Sequence, residues 1–300
     1  MSKAATIQNE SAPKRQKRNK QHSELGAALI RLTKNRTAMI GISLFLVLLF
    51  LAAISPLIMP YDYAQMNLTV KLAKPSAEHL FGCDEFGRDI FSRILYGGRY
   101  SLTIGVLSVG SALIFSLVLG SVAGFFGGMV DNLIMRFLDV FQSIPGTLLT
   151  VVISAALGTG FDKTILALSI SRIPGFARTL RASILKTRNE EYVEAAGAIG
   201  CGNARIIVRY VLPNSFAPML VSISQGVAMT ILQAASLSYI GLGIQPPTPE
   251  WGAMLSGAKN FIRDYPHMLF FPGLFIAITV LGLNMFGDGL RDALDPKLKD

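Results

Sequence analysis

Asp139 and Arg172 each stand inside a long apolar run. Ionisable side chains are costly in hydrocarbon, so such positions are functional candidates. At 1.5 Å per helical residue, Asp139 lies about 10 Å from one end of its run. Arg172 lies about 13 Å from the opposite end of its own. Across a core about 30 Å thick the two differ in depth by about 7 Å, within reach of an arginine side chain. The leading expectation is an ion pair between neighbouring helices, with contact to a passing solute second. Gln142, Ser143 and Gln225 could line a polar path, or could bond within a helix bundle. Pro145 and Pro174 are expected to kink their helices.

Other chemistries are poorly supplied. The glycines of "GAIGCG" (197–202) are spaced G-x-x-G-x-G, with no strand before them, and no G-x-x-x-x-G-K-[ST] occurs anywhere. If work is done on ATP, another chain must hydrolyse it. His22, His79 and His267 are scattered, without metal-ligand spacing. No Glu falls within an apolar run, and no nucleophile, base and orienting group converge, so a membrane-embedded enzyme is disfavoured. An ion-coupled secondary transporter is the alternative. It should show paired intramembrane carboxylates or broken helices at matching places of two repeats. One interior Asp and no clear repeat are found.

The elements that hold these residues follow from composition. Of the 300 residues, 51% are hydrophobic and 16% charged, well below the charge of a soluble domain. The class is therefore an all-α integral membrane protein. Six runs can each span the hydrocarbon, at approximately 37–59, 101–126, 133–158, 164–186, 215–243 and 267–287. Nine Lys/Arg stand in the first 36 residues. That stretch is too long and too basic for the start of a signal peptide, and no clear cleavage site follows the first run. It reads as a cytoplasmic tail before an anchor. With that end inside, the 28 Lys/Arg divide into 19 in cytoplasmic segments or their flanks, eight outside, and Arg172 within a span. This bias supports cytoplasmic N- and C-termini. It puts Cys83 outside and Cys201 inside, so a disulfide between them is excluded.

The same topology leaves residues 187–214 in the cytoplasm. Thr187 and Glu190 have capping-box spacing, with Asn189 as another N-cap. A short helix follows, with Val193, Ala196 and Gly200 on one stripe. Gly200 and Gly202 suit a tight turn, and Asn203 can cap a second helix that ends at Pro213. The residues alone allow either an interfacial connector or a docking element.

Here the chain resembles a family. Glu194, Ala195 and Ala196, then Gly200, then Leu212 and Pro213 resemble the EAA loop of ATP-binding-cassette (ABC) importer permeases, although Tyr210 stands where Ile is usual. "FGCDEFGRDIFSRILYGGRYSL" (81–102), with Cys83 where Thr is usual, "QPPTPEWGAML" (245–255) and "GDGLRDALDPKLK" (287–299) are similar to the peptide/nickel-type subfamily. The likeness runs from about residue 30 onward and is greatest to the C-type dipeptide and oligopeptide permeases. It implies the MetI-like fold of type I importers with six transmembrane helices. It divides the chain into a basic tail (1–36), a permease domain (37–287) with its coupling loop at 189–213, and a C-terminal tail (288–300). It implies that this loop docks on a cytoplasmic ATPase. It also implies a homologous second permease, two ATPase subunits holding ATP and Mg, an extracytoplasmic substrate-binding protein, and a bacterial inner-membrane location, with no cofactor in this chain and no nucleic acid. Solutes carried by the family include dipeptides, oligopeptides, glutathione and nickel chelates.

Two outer segments read as interfacial helices. In one, Thr248 can act as N-cap with Pro249 first in the helix, and Trp251, Met254, Leu255, Ala258, Phe261 and Ile262 share a face. It is expected to pack on the spans or to form part of a platform for the binding protein. In the other, Phe86, Ile90 and Ile94 share a stripe, while Arg88, Asp89 and Arg93 are expected to face water.

Overall fold

The computed structural model describes residues 30–294. The basic clusters expected before residue 30 and the last residues of the C-terminal tail lie outside them. Apart from one isolated bridge between Cys83 and Asp89, the described residues contain helices and loops only.

After a short helical segment at 30–34, the Asn35 side chain accepts from Ala38 N (3.1 Å) and caps α1 (Arg36–Ile58). A strap without long helices runs over 59–89. Helix α2 (Ile90–Phe126) has 37 residues, about 55 Å at 1.5 Å per residue. The expected outer helix and second span are thus one continuous rod. The glycines of "YGG" do not break it, because they serve close approach. A Cβ on Gly97 would fall inside the carbonyl oxygen of Pro249, and one on Gly98 would come 3.1 Å from the Trp251 ring.

The expected third span is two pieces. Helices α3 (Gly128–Gln142) and α4 (Gly146–Leu157) meet at an 82° bend. Pro145 sits there in extended conformation (φ −52°, ψ 131°) as the N-cap of α4, so its effect is a break rather than a kink. In α5 (Phe161–Thr187) the opposite holds, since the helix runs unbroken through Pro174.

The surface module follows: α6 (Glu191–Ala198), α7 (Asn203–Ile206), a π-helical turn (Ile207–Val211) and α8 (Leu212–Ser215). The second helix was expected to stop at Pro213, yet the helical path continues past it. A proline ring clashes with the carbonyl four residues back and lacks the N–H that would bond it. The wider π turn relieves both problems, and Asn214 Nδ2 donates to Tyr210 O (2.6 Å). The bundle closes with α9 (Ala217–Tyr239), the short α10 (Trp251–Ala258) and α11 (His267–Leu294).

Among the described residues, α1, α2, α9 and α11 are long and apolar enough to cross a membrane, and the bent α3–α4 pair would make a fifth span. The 27-residue α5 fails on composition, because Arg172, Arg178 and Arg181 fall within it. It lies against α2 instead, with Phe176, Leu180 and Ile184 buried in the main apolar cluster. A helix screened by its neighbours need not be apolar all round. Small residues set the contacts: Gly41 of α1 and Gly282 of α11 meet backbone to backbone, with a Cβ on Gly282 only 3.0 Å from Gly41 O. Close backbone approach of this kind is how membrane helices gain packing.

The outer segments correct the sequence reading. Arg88, Asp89 and Arg93 are 6%, 2% and 4% exposed, whereas Phe86 is 40% exposed. The strap covers the face that was expected to meet water, and supplies partners for its charges. Asp84 Oδ2 accepts from Arg88 Nε (2.6 Å) and lies 3.6 Å from Arg93 Nε, while Arg93 Nη1 donates to Tyr63 O (2.9 Å). Asp89 Oδ1 bonds His79 Nδ1 (3.0 Å), and Asp89 Oδ2 accepts from Ser92 N and Oγ (2.8 and 2.7 Å), which caps α2. In α10 the N-cap is Glu250, not Thr248. Glu250 is buried, accepting from Ala253 N (2.9 Å) and Ser101 Oγ (3.1 Å). Trp251 is sealed beneath, donating from Nε1 to Ile94 O (2.9 Å).

Candidate functional site

Two regions collect the residues singled out by sequence: the surface module over 189–213, and a cleft between α5 and α9. In the module, the capping box is not made. Glu190 is the N-cap of α6 without a side-chain bond, and the Thr187 hydroxyl donates to Ser183 O (3.0 Å). The turn is sharper than spacing alone required. Gly200 has φ +83°; its N–H donates to Gly197 O (2.9 Å), and the next N–H, of Cys201, donates to Ala196 O (3.1 Å). That pair of bonds, with a left-handed residue after the helix, is a Schellman turn. Gly202 has no positive φ and caps α7 in place of Asn203.

The six module residues divide between two faces. Ala196 is buried and Leu212 half-buried, packed with Val193, Ile206 and Val211 into the main apolar cluster. Glu194, Ala195, Gly200 and Pro213 are exposed. Gly200 therefore does not share the inward stripe of Val193 and Ala196, and a Cβ there would meet nothing within 4 Å. The module also carries apolar side chains open to solvent, Ile199 (78%) and Val208 (66%). Arg188 fastens the module's root. Its Nη1 donates to Gly124 O (3.0 Å) and Phe125 O (3.2 Å), the bare carbonyls at the C-terminus of α2.

The cleft has a volume of about 430 Å³ and is bordered by Gln142, Arg172 and Gln225, together with Ser171, Gly175, Thr179, Ser222, Met229 and Gln233. Three of the five path candidates thus come together. Asp139 and Ser143 do not line it, and Ser143 Oγ donates to Val140 O (2.7 Å). Ser222, Met229 and Gln233 were missed, although 222, 225, 229 and 233 repeat at helical spacing and trace one face of α9. Gln225 also borders a second cleft of about 380 Å³ with Pro218, Arg291 and Leu294, so the two adjoin.

The expected Asp139–Arg172 pair is not formed. Arg172 Nε donates to Thr230 Oγ1 (2.6 Å) and its Nη2 to Gln233 Oε1 (3.2 Å). Asp139 pairs with Arg178, and Asp131 with Arg181. The depth estimate assumed straight spans. With α3 ending at Gln142, Asp139 meets α5 six residues further along than Arg172. Among the described residues, no group of three or more His, Cys, Asp or Glu could hold a metal ion.

A family profile described as binding-protein-dependent transport system inner membrane component matches residues 116–300, across the cleft and the module. The chain belongs to this family. A second profile, the N-terminal TM domain of oligopeptide transport permease C, matches residues 23–75. Similar chains include the dipeptide transport system permease protein DppC of Alkalihalophilus pseudofirmus, 45% identical over 91% of this chain and 90% of its own length. The glutathione transport system permease protein GsiD of Pectobacterium atrosepticum is 43% identical over 87% of each. The oligopeptide transport system permease protein OppC of Bacillus subtilis is 38% identical over 91% and 89%. Among solved structures, an inward-facing MetNI methionine ABC transporter aligns with a TM-score of 0.55 at 16% identity. The match covers 69% of this chain and 98% of that one, a likeness of fold.

Proposed function

We infer that this chain is a permease subunit of an ABC importer that moves peptides, or a related small solute such as glutathione, through the bacterial inner membrane. The observation that carries the reading is the module over 189–213. One face is locked into the bundle core through Val193 and Ala196, and the other offers Glu194, Ala195, Gly200 and Pro213 beside uncovered Ile199 and Val208. A surface so built transmits force to whatever docks on it. The occupant that fits the family is a cytoplasmic ATPase subunit, which holds ATP and Mg outside this chain. The other partners are a homologous second permease, a second ATPase subunit and an extracytoplasmic binding protein.

In this reading α1, α2, the α3–α4 pair, α5, α9 and α11 are the six spans, with both termini in the cytoplasm. The cleft at Gln142, Arg172 and Gln225 is this chain's half of the path. Two arrangements of the bundle must differ in their contacts with the ATPase, and the nucleotide state selects between them. The named solutes of the relatives, dipeptides, oligopeptides and glutathione, give the substrate class.

The test is Gly200→Val in the complete transporter. A side chain at φ +83° is strained, by roughly 1–2 kcal/mol, and it would stand in the docking face. Membrane insertion should stay near normal, ATPase subunits should be lost on co-purification, and uptake should be abolished. Glu194→Ala should do the same more mildly. Wild-type uptake by Gly200→Val with both ATPases retained would make the module a passive connector.

A further inference from the structure

We propose that Arg172 is the anion-binding residue of the cleft, and that the group it takes is the carboxylate of the solute in transit. The proposal rests on the permease reading above and assigns a chemical class to its path. Arg172 is the twelfth residue of α5, about 17 Å from the start of that helix at 1.5 Å per residue. That is near the middle of a hydrocarbon core about 30 Å thick. A guanidinium does not lose its proton there, so the charge must be answered.

Nothing in the described residues answers it. Its hydrogen bonds go to a hydroxyl and an amide, Thr230 Oγ1 and Gln233 Oε1. None of the ion pairs includes it. The nearby arginines of the same helix differ, since Arg178 and Arg181 each hold an aspartate of α3. Thr230 and Gln233 take two of its five N–H groups, and Arg172 itself lines the open cleft. In front lies room of about 430 Å³. One turn along, Gly175 leaves the wall bare, with no atom within 4 Å of where its Cβ would be. The rest of the lining carries no charge, and Phe176 and Met229 add apolar surface to its polar groups. Gln142, Thr179, Ser222 and Gln225 offer donors and acceptors of the kind a peptide bond uses. A preset fork facing vacant space with no other charge in its lining suits a carboxylate, which it can grip through two parallel bonds. Every peptide with a free C-terminus carries that group.

The experiment places Gly175→Cys beside Arg172 in the complete transporter, with Cys83 and Cys201 replaced by alanine. Rates of modification are compared for an anionic and a cationic methanethiosulfonate reagent of similar size. Changing Arg172→Gln should lower the anionic-to-cationic ratio by roughly tenfold, the order expected of one unit charge a helical turn away in a partly hydrated cleft. Arg172→Lys should preserve most of it. An unchanged ratio would mean that the charge is neutralised by another chain, and would overturn the proposal. In parallel, cells with the transporter but without the added cysteine take up dialanine or its C-terminal amide. Arg172→Gln should reduce dialanine uptake several-fold more than uptake of the amide. An equal loss of both would indicate a structural role and also overturn it. If the wild type takes up neither, the peptide reading fails, and the reagent ratio alone decides the anion site.

Discussion

The strap end and the module end of this molecule handle exposed chemistry in opposite ways. At one end the strap brings Asp84 to Arg88 and Arg93, and His79 to Asp89, then covers them all. Glu250 and Trp251 are sealed beneath the same surface, each with hydrogen-bond partners. At the other end the module leaves open space at Gly200 and leaves Ile199 and Val208 uncovered. The strap end satisfies its charges within one chain, and they act as structure. The module end leaves apolar surface uncovered. Conspicuous residues can thus mean opposite things, and what separates them is whether the chain satisfies its own groups.

The largest effect should come from breaking the sealed side. Asp84→Ala removes the acceptor of Arg88 and the carboxylate beside Arg93, both arginines under a tenth exposed. Losing one member of a buried pair costs about 3–5 kcal/mol. The yield of membrane-integrated protein that stays monodisperse in detergent should collapse. Gly200→Val, on the open side, should cost less than half as much stability and yet abolish transport. If Asp84→Ala folds as well as wild type, the strap network is not the clasp that its burial indicates.

The two cysteines report the same contrast without disturbing either end. Cys83 is fully buried, and burial, with Asp89 and Asp84 nearby, pushes its thiol up to about 11 from an ordinary 9.0. Since the thiolate is what reacts, that rise alone lowers the reactive fraction about a hundredfold below pH 9. The sign is clear: below about 11 the thiol stays protonated, and each unit of rising pH recruits about tenfold more thiolate. An impermeant maleimide outside cells should leave Cys83 unlabelled until the protein is unfolded. Cys201, half-exposed on the module, should label once the membrane is permeabilised. Rapid labelling of folded Cys83 would show that the strap opens.

How much of this was legible in sequence depends on how far each partner lies along the chain. The module's turn could be placed from Gly200, because a left-handed turn after a helix leaves few other choices. The family motif fell in the same stretch. The burial of Arg88, Asp89 and Arg93 could not be read. Helical periodicity assigns charge to the wet face, and here a strap arriving from residues 59–84 makes that face dry. Gly97 and Gly98 lie unbroken inside α2, and the reason for them lies some 150 residues away at Pro249 and Trp251. The face of α9 that carries Ser222, Gln225 and Gln233 was available from spacing alone, since polar residues at helical period in an apolar run mark an inward face.

The smallest expected effect is also the sharpest on the one pairing that sequence misassigned. Asp139 and Arg178 join α3 to α5 with side chains 49% and 44% exposed. An exposed pair contributes about 0–1 kcal/mol, because water serves both charges nearly as well. In the purified chain, Asp139→Asn and Arg178→Gln should each lower thermal stability only slightly. The double change should cost less than the two added together, since each single variant has already lost the same contact. Asp139→Asn combined with Arg172→Gln should show simple additivity, because those residues have separate partners. Strong coupling in the second cycle would restore the pair expected from depth alone. A cost of several kcal/mol in the first cycle, appearing only in the assembled transporter, would show that a partner chain covers this face and dries it. The exposed side of α3 would then belong with the module, as surface that is finished only by another subunit.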